Sequence, residues 1–73
     1  MEKLTIQTSH IRLDQAMKLA SFAASGAEAK ALVQEGAVLV NGSVCTQRGK
    51  KLFNGDCFSV GDSAACISST VEA

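Results

Sequence analysis

The side chains in this sequence best suited to chemistry are the positively charged ones, and they are unevenly distributed. Residues 12–51 carry six basic and three acidic side chains, whereas residues 52–73 carry three acidic side chains and no basic one. The zero net charge of the chain therefore conceals an excess of three positive charges in one segment. Because a local positive potential attracts phosphate groups, this asymmetry favours a polyanionic ligand.

The densest positive segment is Gln-Arg-Gly-Lys-Lys at residues 47–51, which places three basic side chains within four residues. We predict that it forms an exposed loop. Its basic side chains are candidate phosphate contacts, and the alternative is a loop that only improves solubility. The candidates are Arg48, Lys50 and Lys51.

Residues that act as nucleophiles or metal ligands are few and scattered. The only histidine is His10, and Cys45, Cys57 and Cys66 are far apart, without a Cys-x-x-Cys pair. A catalytic dyad needs its members side by side, and nothing in the sequence places a cysteine beside the histidine. No spacing typical of a metal site is present either. We expect no enzyme activity, metal or cofactor, and three half-buried thiols rather than a disulfide.

Length and composition limit the class of protein. Seventy-three residues, 47% of them hydrophobic, suffice for one small domain, which we place at residues 1–73. No apolar run approaches the roughly 20 residues that span a bilayer. The N-terminus lacks the basic and apolar stretches of a secretion signal. We expect a monomeric, cytoplasmic protein that does not associate with membranes.

A first helix is predicted after Arg12, where apolar residues begin to recur every three to four positions. Its buried stripe consists of Leu13, Ala16, Met17 and Ala20. Asp14 and Lys18 are four residues apart with the acidic residue first, the favoured order for an ion pair on the outer surface of a helix. This pair is enough to explain Lys18, which is a secondary candidate for a phosphate contact.

A second helix is predicted to begin at Ser25. A serine followed three residues later by a glutamate, here Glu28, is a capping box, in which the hydroxyl accepts a bond from the glutamate N–H. Gly36 suits the left-handed residue that commonly ends a helix. The buried stripe consists of Ala29, Leu32 and Val33.

One flank of the second helix carries the remaining candidates. At about 100° per residue, Lys30 and Gln34 share a flank, and Glu28 and Glu35 share another. The lysine could neutralise a phosphate and the glutamine could add a hydrogen bond. The alternative is an ordinary solvated helix surface.

Strands are predicted on both sides of the helices. Residues 3–8 alternate apolar and polar side chains, which is typical of a short strand. After the second helix, Ala-Val-Leu-Val is followed by Asn41-Gly42 and Ser-Val-Cys-Thr, a strong signal for a β-hairpin.

The last third of the chain also has the pattern of β-structure. Turns are predicted at Asn54-Gly55-Asp56 and at Gly61-Asp62, with strand candidates Cys-Phe-Ser-Val and Ala-Ala-Cys-Ile-Ser on either side of the second turn. Residues 69–73 could form a frayed tail. The predicted fold class is α+β, with two short helices packed on a small, mostly antiparallel β-sheet.

The order of these elements resembles the RNA-binding domain first described in the fourth protein of the small ribosomal subunit, the S4-type domain. That family pairs two short helices with a following β-hairpin, the αL motif. The resemblance covers roughly residues 11–60, and Gly55-Asp56 matches the closing turn of the family. The other matching residues are Arg12-Leu13-Asp14, Ser25, Ala29-Lys30, Leu32-Val33, Gly36 and the segment 38–42.

The resemblance implies a non-catalytic protein that binds structured RNA, ribosomal or transfer RNA, and the chain is most similar to the small stand-alone bacterial members. Arg12 would then contact a phosphate. Ser25 and Asn41, chiefly a cap and a turn residue, join the candidates. With only three phenylalanines as aromatic residues, stacking on splayed single strands is not expected. The RNA-binding candidates are Arg12, Lys18, Ser25, Lys30, Gln34, Asn41, Arg48, Lys50 and Lys51.

Two other functions stay open at this point. The first is a protein-interaction or ribosome-associated adaptor domain that kept the fold but binds RNA weakly or not at all. The zero net charge favours it, as does Gly26, because many family members have an arginine there. The second is an enzyme or a sulfur carrier, which is disfavoured because such a carrier needs a terminal Gly-Gly. Expected partners are structured RNA, the ribosome or another RNA-binding protein.

Overall fold

The computed structural model describes residues 2–71, in which seven strands and two helices follow one another. In chain order these are β1 (Glu2–Ile6), β2 (His10–Arg12), α1 (Leu13–Leu19), α2 (Gly26–Gln34), β3 (Val38–Val40), β4 (Ser43–Val44), β5 (Lys51–Phe53), β6 (Cys57–Val60) and β7 (Ser63–Ser69). No helix in this part of the chain is long and apolar enough to cross a membrane.

The strands form two sheets. Five of them make a mixed sheet in the order β1-β7-β6-β3-β4. β1 and β7 run parallel, with Leu4 opposite Ile67, and the other neighbours in this sheet are antiparallel. β2 and β5 form a separate antiparallel pair. The expected α+β fold, two short helices on a mostly antiparallel sheet, is confirmed.

The apolar stripe predicted for α1 is confirmed. Leu13, Ala16 and Met17 are completely buried, and Ala20 at the C-terminal end of the helix is 6% exposed. The spacing of three and four residues thus points this stripe into the core, whereas Leu19, which lies off the stripe, is 54% exposed.

The predicted ion pair between Asp14 and Lys18 is wrong. Asp14 is only 8% exposed, and its carboxylate bonds to Arg12, two residues earlier. Lys18 is exposed in the last turn of α1. Oδ1 of Asp14 also accepts a bond from the N–H of Gln15, a first-turn group without a partner inside the helix, so Asp14 turns towards the start of α1 and away from Lys18.

The second helix begins as predicted. Ser25 is the N-cap of α2, and its Oγ accepts a hydrogen bond from the backbone N–H of Glu28 at 3.2 Å. This bond satisfies one of the N–H groups that have no partner within the helix. On the predicted stripe, Ala29 and Val33 are completely buried and Leu32 is partly buried against the core.

Positive backbone φ angles occur at the turns that the sequence predicts and, in addition, at Ser21 after α1, where φ is +64°. Gly36 ends α2 with φ of +78°. Between β3 and β4, Asn41 has φ of +51° and Gly42 has φ of +87°, while Val40 lies opposite Ser43. Two consecutive positive φ angles in a two-residue loop are the geometry that the Asn-Gly pair favours, so the predicted hairpin is confirmed.

One hydrophobic cluster joins the helices to the five-stranded sheet. Phe58 of β6 is 2% exposed, and its ring lies 5.5 Å from that of Phe22 in an edge-on arrangement. Alternate residues of the strands complete the cluster, namely Leu4, Ile6, Val38, Val40, Ala65 and Ile67. The intervening residues are more exposed, as expected for a sheet covered on one surface.

The prediction of three free thiols is wrong for two of the cysteines. Cys57 and Cys66 form a disulfide between β6 and β7, where their Cα atoms are 3.9 Å apart. The physical reason is the two-residue turn Gly61-Asp62, which sets the register of the two strands and places the two cysteines directly opposite each other. Cys45 is a buried free thiol.

The end of β7 and the residue that follows it are bonded to the end of β1 and the segment after it. The N–H of Thr70 donates to the carbonyl of Ile6 at 3.0 Å, and the hydroxyl of Ser69 donates to the carbonyl of Thr8 at 2.6 Å. Both residues belong to the segment for which we expected fraying. Residues 72 and 73 of that segment lie outside the described part of the chain.

Candidate nucleic-acid interface

The loop before β5 is fastened to the start of α1 through its backbone. The N–H of Leu13 donates to the carbonyl of Lys50 at 2.8 Å, and the N–H of Asp14 donates to the carbonyl of Arg48 at 3.0 Å. Such N–H groups of a first helical turn usually need a side-chain cap. Arg12, the N-cap residue, makes no side-chain bond of this kind. The loop therefore caps α1, and its basic residues are held beside the helix.

The pairing of β2 with β5 brings a further basic residue to the same place. Arg12 lies directly opposite Lys51. The position that a β-carbon would take at Gly49 is 3.8 Å from Nη2 and 3.9 Å from Nε of Arg12, so the guanidinium lies beside the loop. We call Arg12, Arg48, Lys50 and Lys51 the basic cluster, and all four are exposed.

One carboxylate orients the arginine of the basic cluster. Nη2 of Arg12 donates to Oδ2 of Asp14 at 3.0 Å, and the N–H of Gln15 donates to Oδ1 at 2.9 Å. The Arg12 side chain is 52% exposed and that of Asp14 only 11%, so the carboxylate is the fixed partner. A guanidinium has five N–H donors, and this bond uses one. Arg12 is thus oriented while donors remain for a two-point bond to a phosphate.

The remaining basic candidates lie on the helices. Lys18 is exposed near the end of α1, and Lys30 and Gln34 are exposed on α2, which packs against α1. The hydroxyl of Ser25 is engaged in the cap of α2. No hydrogen bond or ion pair within residues 2–71 joins these four residues to the basic cluster. That they share one continuous surface with it stays a prediction.

Asn41 is engaged within the protein. Its Nδ2 donates to Oδ1 of Asp56 at 3.2 Å, and its Oδ1 accepts a bond from the N–H of Cys57 at 3.0 Å. The amide therefore ties the tip of the β3–β4 hairpin to the start of β6. This bonding explains the residue in structural terms, and a contact from Asn41 to a nucleic acid stays a prediction.

An open groove of about 410 Å³ lies between the hairpin and the basic cluster, and the two meet at Lys50. Ser43, Thr46 and Gln47, three polar residues that the sequence did not single out, are among its lining. The complete lining is Val40, Asn41, Ser43, Val44, Cys45, Thr46, Gln47 and Lys50. The groove therefore places neutral hydrogen-bonding groups next to the charged surface of the basic cluster.

His10, the residue considered for a catalytic dyad, contacts its sequence neighbour Ser9 and the ring of Phe53. Nδ1 of His10 lies 3.1 Å from Oγ of Ser9, and the imidazole lies 5.5 Å from the ring of Phe53. Among residues 2–71, His, Cys, Asp and Glu side chains form no group of three that could hold a metal ion.

Comparison with known proteins shows to which family the chain belongs. The sequence model of the S4 domain family matches residues 4–68, most of the chain. The chain belongs to the S4 domain family. It is similar to the probable ribosome maturation protein RlbA of Bacillus subtilis (strain 168), with 43% identity over 53 residues, 73% of this chain and 75% of that protein. The resemblance over residues 11–60 is confirmed, and the match extends beyond it on both sides.

The sequence missed two features of this S4 domain that bear on its surface. The first is the role of Asp14 in orienting Arg12, for which the Arg-x-Asp spacing at a helix start was an available signal. The second is the groove, whose polar lining depends on the path of the loop from β4 to β5. No local pattern of residues encodes that path.

Proposed function

We propose that this S4 domain, a single domain of residues 1–73, binds structured RNA, either ribosomal or transfer RNA, through the basic cluster and without catalysis. The observation that carries the proposal is the backbone attachment of the loop to α1, which gathers basic residues from two separate segments. Phosphate contacts of this kind position a protein on RNA without reading its bases.

The charge of the cluster supports a phosphate ligand. Its four positive charges exceed the single negative charge of Asp14 by three, although the whole chain is neutral. Phosphate attraction depends on such local potential. The exposed position of Lys18, without the ion pair expected for it, adds a further unneutralised charge on α1.

We propose that the helices extend the RNA-binding surface. Lys30 would contribute a phosphate contact outside the basic cluster, with Gln34 one turn further along the same flank of α2. Lys18 would contribute another. Ser25 and Asn41 would lie at the border, where they chiefly keep the helix cap and the hairpin tip in place.

The relative from Bacillus subtilis supports the ribosome as the setting, because its name describes a probable ribosome maturation protein. We propose that this chain acts in the cytoplasm as a monomer. Its partner would be ribosomal RNA, the ribosome or another RNA-binding protein, and phosphate contacts would supply most of its affinity.

The salt dependence of RNA binding tests this proposal. The protein is titrated against a synthetic stem-loop RNA and against transfer RNA at several salt concentrations, with fluorescence anisotropy as the readout. If the four residues of the basic cluster and Lys18 and Lys30 each displace one counterion, log affinity should fall with log salt with a slope of about −4 to −5. Lys50→Glu should weaken binding to both RNAs and bring the slope about one unit closer to zero.

Lys3→Glu is the matched control because it makes the same change of charge at an exposed site on the opposite edge of the sheet. Lys3 lies in β1, four strands away from β4 in the sheet, a distance of roughly 19 Å. It should leave the slope unchanged. Equal losses for both variants would show that net charge governs binding. A slope near zero for the parent would contradict the proposal and favour the protein-interaction domain.

A further inference from the structure

The groove beside the hairpin has the charge distribution of a site for a ligand that is anionic at one end. Lys50 stands at its border with the basic cluster, and no carboxylate lines it. Its volume of about 410 Å³ is within the range of small-molecule sites, about 300–1,000 Å³. A ligand attached to the RNA backbone could place a phosphate at Lys50 and a neutral group in the groove.

The polar groups of the groove are free to bind such a neutral group. The side chains of Ser43, Thr46 and Gln47 are exposed and make no hydrogen bond within residues 2–71. The backbone of the same segment is fixed, since the carbonyl of Gln47 accepts bonds from the N–H of Lys50 at 3.1 Å and from Sγ of Cys45 at 3.5 Å. Neutral donors and acceptors on a fixed backbone suit the edge of a nucleobase.

An aliphatic surface completes the groove. Val40 and Cys45 are buried beneath it, and Val44 is 59% exposed in β4, the edge strand of the sheet. No aromatic side chain lines the groove. A base would therefore pack against a valine instead of stacking on a ring, which suits one unpaired nucleotide next to a duplex better than a long single strand.

We propose that this groove holds one unpaired nucleotide of the bound RNA, with its phosphate at Lys50 and its base contacting Ser43, Thr46 and Gln47. The inference rests on the proposed RNA-binding function and adds a preference to it. The basic cluster supplies affinity for any structured RNA, and the groove selects RNA in which a base is free to leave the stack.

Two synthetic stem-loop RNAs that differ only by a single-nucleotide bulge in the stem test this inference. Affinities are measured by fluorescence anisotropy at one low salt concentration, with folding checked by circular dichroism. The parent should bind the bulged RNA about fivefold more tightly, the effect of roughly one additional hydrogen bond. Gln47→Ala with Thr46→Val should abolish this preference and leave the affinity for the unbulged RNA unchanged.

The matched control is Gln7→Ala, which removes the same amide from an exposed site between β1 and β2. It should keep the preference for the bulge. A preference that survives in the Thr46 and Gln47 variant would overturn the inference. So would equal affinity of the parent for both RNAs, and if that binding remained salt-dependent, the proposed function would stand. Absence of binding to either RNA would overturn both.

Discussion

Replacing Gly42 by alanine is expected to destabilise the domain even though the new methyl group has room. Gly42 has φ of +87° between β3 and β4, and no atom lies within 4 Å of the position that its β-carbon would take. A steric clash with other elements therefore does not contribute. The expected cost is that of holding a residue with a side chain in the left-handed region, about 1–2 kcal/mol.

Gly26→Ala is the matched control because it makes the same chemical change in an equally open place. Gly26 is the first residue of α2, its φ is not positive, and the position of its β-carbon also has no atom within 4 Å. Alanine there restricts the unfolded chain and favours the helix, which should stabilise the protein by about 0.5–1 kcal/mol. The two variants should therefore differ by about 1.5–3 kcal/mol.

Urea denaturation followed by circular dichroism measures both free energies of unfolding. For a domain of this size the expected difference corresponds to about 6–24 °C in Tm, since one kcal/mol shifts Tm by about 4–8 °C. Gly42→Ala should be less stable than the parent and Gly26→Ala more stable. A Gly42→Ala variant as stable as the parent would refute the reasoning, because it would show that no left-handed residue is required at the hairpin tip.

Three further predictions concern individual contacts. Asp14→Asn should lower the unfolding free energy by about 1–2 kcal/mol in urea denaturation, because a neutral amide replaces the charge-assisted partner of Arg12. An unchanged free energy would show that the pair does not contribute to stability. Asn41→Gly keeps the positive φ but removes two side-chain bonds, and a thermal melt should show a cost of about 1–2 kcal/mol. Reducing the disulfide should cost about 2–3 kcal/mol. A Cys57→Ser, Cys66→Ser variant should unfold identically with and without dithiothreitol.

Features that depend on neighbours along the chain were predictable from the sequence. The stripe from Leu13 to Ala20, the Ser25 cap and the Asn41-Gly42 turn each follow from residues within one or two helical turns or within a two-residue loop. Local steric and hydrogen-bonding preferences decide such features, and here the tertiary structure agrees with them. Together these elements were enough to identify the fold class.

Features that depend on distant parts of the chain were not predictable from local patterns. The start of α1 is capped by carbonyls of a loop 34–37 residues further along the chain, which no pattern around Arg12 indicates. The disulfide, by contrast, follows from the local Gly61-Asp62 turn, which fixes the register of β6 and β7 and places Cys57 opposite Cys66. The basic cluster combines two segments that the pairing of β2 with β5 and the capping of α1 by the loop bring together.

Because main-chain carbonyls of residues 48 and 50 cap α1, the side chains of this surface can be redesigned without losing the cap. A carbonyl is present whatever side chain a residue carries, so the side chains at both positions can be exchanged while the loop keeps its place. The donors impose the stricter condition, because a proline at position 13 or 14 would remove the N–H on which the loop depends. Libraries randomised at Arg48 and Lys50 should therefore yield folded domains with altered RNA affinity.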